Sequence, residues 1–140
     1  MEVDVKELLS AQQIKQACCP ANLAREQVDV PEWGGTVLVW EIPARELDKF
    51  EESRLLQKRG KVKLNLTDTR ARLCVLAIRD REGHRLFTDA DISWLSRDAG
   101  GRALDRVYEV AQRLNGSKDE DLEDVAKNSD AGPGDSSPTS

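Results

Sequence analysis

Between Gln27 and Ile42 the hydrophobic pattern of this chain changes period, and that change does most to limit the folds open to it. Val28 and Val30 alternate with Gln27 and Asp29, and Thr36-Val37-Leu38-Val39-Trp40-Glu41-Ile42 is rich in β-branched and aromatic residues. Side chains alternate between faces along a strand, so these two runs suit half-buried strands better than a helix. The Pro31-Glu32-Trp33-Gly34-Gly35 cluster between them is turn chemistry, and the whole reads as a β-hairpin. Pro31 has no N–H and belongs at a strand end or on an edge.

The flanking segments are dominated by helical spacing. Val5, Leu8, Leu9 and Ile14 predict a sparse helix from Val3 to about Ala17, ended by Cys18-Cys19-Pro20. Pro43 suits a first helical turn, and Leu47, Phe50, Arg54 and Leu55 share one side. Acids come early and Lys58 and Arg59 late, so a helix running to Gly60 matches the macrodipole. Lys61 to Leu66 alternates as a short strand or extended loop. Thr67 or Asp68 then caps a helix to about Arg79, whose run Leu73 to Ile78 implies burial on most sides. Asp80 to Gly83 is a turn, and His84 to Phe87 a short strand or loop. Thr88 and Asp91 have capping-box spacing before a short helix with Ile92 and Leu95 inward, broken by Gly100-Gly101. Leu104, Val107, Tyr108, Ala111 and Leu114 form the most regular stripe, stopped at Asn115-Gly116.

After Gly116 the character changes. Ser117 to Glu120 is a second capping box, with Leu122, Val125 and Ala126 as a small apolar face among acids. Ser129 to Ser140 has almost nothing apolar to offset its ordering entropy. The expected class is therefore α+β: a single small domain, mainly helical, with an N-terminal β-hairpin or small sheet and a disordered C-terminal tail. The expected divisions are 1–26, partly helical or flexible; 27–116, the α+β core; 117–128, a short acidic helix; and 129–140, the tail.

Little here supports chemistry. The one histidine, His84, sits in a polar turn, and Cys74 lies inside the apolar run. Cys18 and Cys19 are vicinal, without the spaced Cys/His partners of a metal site, and Asp80, Glu82, Asp89 and Asp91 suit turns and caps. Trp33-Gly34-Gly35 lacks the lysine and helix start of a phosphate loop. The expectation is a protein that is not an enzyme, with no cofactor and no metal. The net charge of −5 weighs against nucleic acid. The absence of a long apolar run or leader pattern predicts a cytoplasmic protein with reduced thiols and no membrane segment. Surfaces remain. Trp33 either folds back onto the core or stands out from the hairpin tip as an anchor, and Trp94 can face either way. Trp33, Trp94, Leu95, Tyr108 and Leu122 are the candidate partner contacts.

The order of these motifs resembles one group of tail assembly chaperones of long-tailed, siphovirus-type bacteriophages and prophages. Val28-Asp29-Val30-Pro31-Glu32-Trp33-Gly34-Gly35-Thr36-Val37 is similar to that group's opening. Asp80-Arg81-Glu82-Gly83-His84-Arg85-Leu86-Phe87-Thr88-Asp89-Ala90-Asp91 resembles a second segment. Leu104-Asp105-Arg106-Val107 and Ala111-Gln112-Arg113-Leu114-Asn115-Gly116 resemble a third. The likeness spans about Glu26 to Asn128. It implies a protein of the bacterial host cytoplasm that holds the helical tape measure protein until tail tube subunits polymerise around it, and that is absent from the mature virion. It also implies a longer form made by ribosomal frameshifting, and it leaves room for the major tail protein and self-association as further contacts. The group brings no catalytic residues to carry over. A structural tail or connector component, or a small phage-encoded regulatory protein, are the alternatives.

Overall fold

The structure, a computed structural model, describes residues 7–116. The helix expected over 117–128, the tail expected over 129–140 and Leu122 lie outside the described residues.

Among the described residues, five α-helices and four strands follow in the order α1 (Ala11–Ala17), β1 (Arg25–Val30), β2 (Gly35–Trp40), α2 (Ala44–Ser53), β3 (Leu55–Lys58), β4 (Lys61–Leu64), α3 (Thr69–Ala77), α4 (Ile92–Asp98) and α5 (Gly101–Asn115). The α+β class expected from the alternating and helical runs is therefore what forms. The strands make two separate antiparallel hairpins, β1–β2 and β3–β4.

The first hairpin is the one its alternation predicts, with Val28 opposite Val37 and Val30 opposite Gly35. Val28, Val30 and Val39 point into the core, where the hairpin packs on α5. Two ion pairs fasten β1 and its turn to α5: Arg113 to Glu26 and Arg106 to Glu32, both at 2.9 Å. The two arginines are about two helical turns apart on α5. Trp40 is buried on the far face of β2. Its ring packs against Gly83, Arg25 lies over it at 4.5 Å, and its Nε1 donates to the Asp80 carbonyl at 3.1 Å.

Helix α3 is the central helix. Ala71, Leu73, Cys74, Val75 and Ala77 are all buried, as the unbroken apolar run implies. It stops at Ala77, so Ile78 and Arg79 extend instead and bridge to β2, with Arg79 N–H donating to the Leu38 carbonyl at 3.1 Å. On α5, Ala103, Leu104, Val107, Tyr108 and Ala111 face this core, and Gly116 in left-handed geometry ends the helix.

Three expectations need correction. The helix begun at Pro43 ends at Ser53, not at Gly60. Leu55 to Lys58 pairs with Lys61 to Leu64 about an Arg59-Gly60 turn in which both residues have positive φ, 54° and 78°. That is a tight hairpin turn, so Gly60 supplies turn geometry and no helix stop. In the first helix, the described part begins only at Ala11. Ser10 caps it in a reciprocal box with Gln13, which leaves Leu8 and Leu9 outside the helix and exposed. Asp68 occupies the cap position of α3, but its carboxylate accepts from the Ser96 hydroxyl at 2.5 Å and ties α3 to α4.

Candidate partner-binding site

The tip of the first hairpin is where its sequence leaves an apolar group uncovered. Pro31 to Trp33 forms a single 3₁₀ turn, closed by Gly34 N–H donating to the Pro31 carbonyl at 3.0 Å. Gly34 adopts φ 74°, a conformation that costs a residue with a Cβ more than it costs glycine. Glu32 is held by Arg106 Nε, which reaches both carboxylate oxygens at 2.9 and 3.2 Å. That hydrogen bond holds the Glu32 carboxyl below its ordinary range. With its neighbour fixed on either side, Trp33 projects from a rigid turn and stays 38% exposed.

Trp94 comes to the same place from α4. Its Nε1 donates to Asp91 at 3.1 Å, and Asp91 also accepts from the Thr88 backbone N–H at 2.8 Å within the capping box. The Thr88 N–H, and next the Trp94 indole, hold the Asp91 carboxyl below its ordinary range. The cap that starts this helix therefore also orients the indole. Phe87 meets Trp94 edge to face, with centroids 6.2 Å apart. Trp94 remains 41% exposed.

Trp33, Phe87, Trp94, Leu95, Asp98 and Ala99 together line an open depression of about 280 Å³. Leu95 is only 2% exposed and forms its floor, so it offers a partner little area of its own. The sequence did not single out Phe87, Asp98 or Ala99. Phe87 carried a signal in being a large apolar residue within a polar loop. Tyr108 does not line the depression. It is buried in the core, and its hydroxyl accepts from Gln112 Nε2 at 3.2 Å. Its place in the apolar stripe of α5 is what buries it against the core.

His84 and the three cysteines do not line this depression. His84 is exposed in the Asp80–Gly83 turn with Nδ1 3.6 Å from Asp80, whose Oδ1 accepts from the backbone N–H groups of His84 and Glu82, each at 2.9 Å. The Cys74 thiol is buried, and burial pushes its pKa up to about 12, which suits packing and not nucleophilic attack. Cys18 and Cys19 are exposed in the turn after α1. Among the described residues, no group of three or more His, Cys, Asp or Glu is placed to hold a metal ion. No helix there is long and apolar enough to cross a membrane.

No family model and no curated protein matches the chain. A solved structure does: that of the bacteriophage HK97 tail assembly chaperone, with a TM-score of 0.52 and 18% sequence identity. The match covers 74% of this chain and 98% of that one. At this identity the likeness is one of fold, and nearly the whole of the HK97 chaperone chain is contained in it.

Proposed function

We propose that this chain is a phage tail assembly chaperone that binds the tape measure protein and keeps it soluble for tail tube polymerisation. The observation that carries the reading is the fold likeness to the HK97 tail assembly chaperone over 98% of that protein's length. The motifs from Val28 to Gly116 resemble the same group independently of that superposition.

The physical logic rests on the depression at the hairpin tip. A long helix with an exposed apolar stripe aggregates unless a partner covers the stripe. Amphipathic helices are commonly held through apolar side chains inserted into a lined groove. Trp33 and Trp94 supply large, rigid, partly uncovered surfaces beside the Leu95 floor, which is the composition of an interface anchor. An opening of about 280 Å³ takes one or two aliphatic side chains, not a whole helix. Modest affinity per copy follows, with many copies along a long helix. That suits a holder that must let go when tube subunits arrive. In this reading the protein acts in the host cytoplasm, performs no catalysis and is left out of the virion.

The test is co-expression with fragments of the tape measure protein, together with a search for this chain in purified tails. A chaperone renders the fragment soluble and co-purifies with it, but is missing from finished particles. A fragment that is equally insoluble with and without this chain contradicts the proposal. Stoichiometric presence in mature tails would instead mark a structural component.

A further inference from the structure

The backbone hydrogen bonds of β1 run to one side only. The Glu41 N–H donates to the Ala24 carbonyl at 2.7 Å, and Arg25 stands opposite Trp40. In an antiparallel ladder, bonded pairs alternate with unbonded ones. Glu26, Val28 and Val30 therefore bond to β2, and the backbone N–H and C=O of Arg25, Gln27 and Asp29 point away from it. On its own far side β2 has partners: the Leu38 carbonyl accepts from the Arg79 N–H at 3.1 Å, and Val39 bridges to Ile78. Among the described residues, no strand, bridge or backbone hydrogen bond meets the outer edge of β1.

That edge lacks the features that keep strands from pairing with other chains, which are lysine, proline, a bulge or brevity. β1 pairs with β2 without a break from Arg25 to Val30, contains no lysine, and meets proline only at Pro31, past its end. The side chains of Arg25, Gln27 and Asp29 share one face and are all exposed. Val28 and Val30 lie on the other face, in the core, so a partner at this edge leaves the core undisturbed. Both charges have fixed places. Arg25 lies over the Trp40 ring, and Asp29 accepts from the Thr36 hydroxyl at 2.9 Å.

We propose that two copies of this chain pair through β1, antiparallel about a two-fold axis at Gln27. In this register Gln27 faces the partner's Gln27, Arg25 faces the partner's Asp29, and Asp29 faces the partner's Arg25. Backbone and charge select the same arrangement. Every facing residue has an outward N–H and C=O, so each facing pair exchanges two N–H···O bonds. Opposite charges directly across a strand pair attract, and like charges repel. A slip of one residue turns the unbonded groups away from one another. A slip of two sets Arg25 or Asp29 against Gln27 and gives up a facing pair. A segment that is complementary to itself in this way forms an isologous, closed contact. The product is a continuous β2-β1-β1-β2 sheet, with the two Trp33 tips at opposite ends. The contact is small, so the affinity is modest.

Sedimentation velocity of the full chain over a range of concentrations tests this, in reducing buffer so that the exposed Cys18 and Cys19 cannot link copies. The wild type should pass from monomer to dimer as concentration rises. Arg25→Asp and Asp29→Arg each set like charges opposite one another at both ends of the contact, and each should weaken the dimer at least about tenfold. R25D/D29R restores opposite charges in the same register, and should return the affinity to within about threefold of wild type. Gln27→Pro removes the outward N–H at the axis and leaves the bonds to β2 in place. It should abolish the dimer while far-ultraviolet circular dichroism stays that of the wild type. A wild type that is monomeric up to about 1 mM overturns the proposal. So does a dimer that survives Q27P, or a double variant that pairs no more tightly than the single ones. Growth into open-ended assemblies contradicts a closed two-fold contact in the same way.

Discussion

The two hairpins have the same hydrogen-bonded design and opposite circumstances. β1–β2 is fastened along its length: valines in the core, Glu26 and Glu32 on α5, and Trp40 beneath the Asp80–Gly83 turn. β3–β4 is held at its foot by the Ser53, Asn65 and Arg72 hydrogen bonds, and its turn is exposed. Strand pairing alone is marginal in water, so it is packing that makes a hairpin rigid. Only the first hairpin can hold a tryptophan at its tip in a fixed position, and that is where the candidate site lies.

Core truncation should separate the two most sharply. Trp40→Ala removes a buried ring and its hydrogen bond to Asp80, and should cost about 3–5 kcal/mol in chemical denaturation. Leu56→Ala, on the exposed second hairpin, should stay within about 0.5 kcal/mol. Similar losses at the two positions would break the comparison.

Strain comes next. Gly34 and Gly60 both have positive φ, with open space where a Cβ would stand. Alanine at either is therefore strained by backbone geometry alone, by about 1 kcal/mol. At Gly34 the loss should appear in global unfolding, because that turn belongs to the packed hairpin. At Gly60 it should appear mainly as faster local exchange in residues 55–64.

The smallest effect is electrostatic. The Glu32 carboxyl is held below its ordinary value of 4.5, chiefly by the Arg106 hydrogen bond. Its contribution is therefore fully present above that value and fades as pH falls through the lowered folded-state pKa. The stability difference between wild type and Glu32→Gln should be level at neutral pH and shrink in acid. A difference that grew on acidification would contradict the assigned ion pair.

The same contrast explains what could be read from the sequence. β1–β2, α3 and α5 show their periods in neighbouring residues, so alternation and stripes sufficed. β3–β4 could not be read this way. Leu55-Leu56-Gln57-Lys58 continues a helical stripe and has the basic residues a helix end favours, and only its partner strand makes it extended. Trp33 and Trp94 were identifiable as large apolar groups near turns and caps. Their meeting with Phe87 depends on three segments folding together, which periodicity does not encode. Tyr108, offered as a partner contact, lies in the core, and spacing alone does not tell an α5 residue facing α3 from one facing a partner.

The central claim is that the Trp33–Trp94 depression holds the tape measure helix. Tryptophan fluorescence of the purified full chain, titrated with a soluble tape measure fragment, tests it most directly. Trp33 and Trp94 are partly exposed and Trp40 is buried, so binding should shift emission to the blue. A W33A/W94A variant that keeps the buried Trp40 emission should bind at least about 30-fold more weakly, as expected for lost anchors worth ~2 kcal/mol. Unchanged affinity in that folded variant would contradict the account.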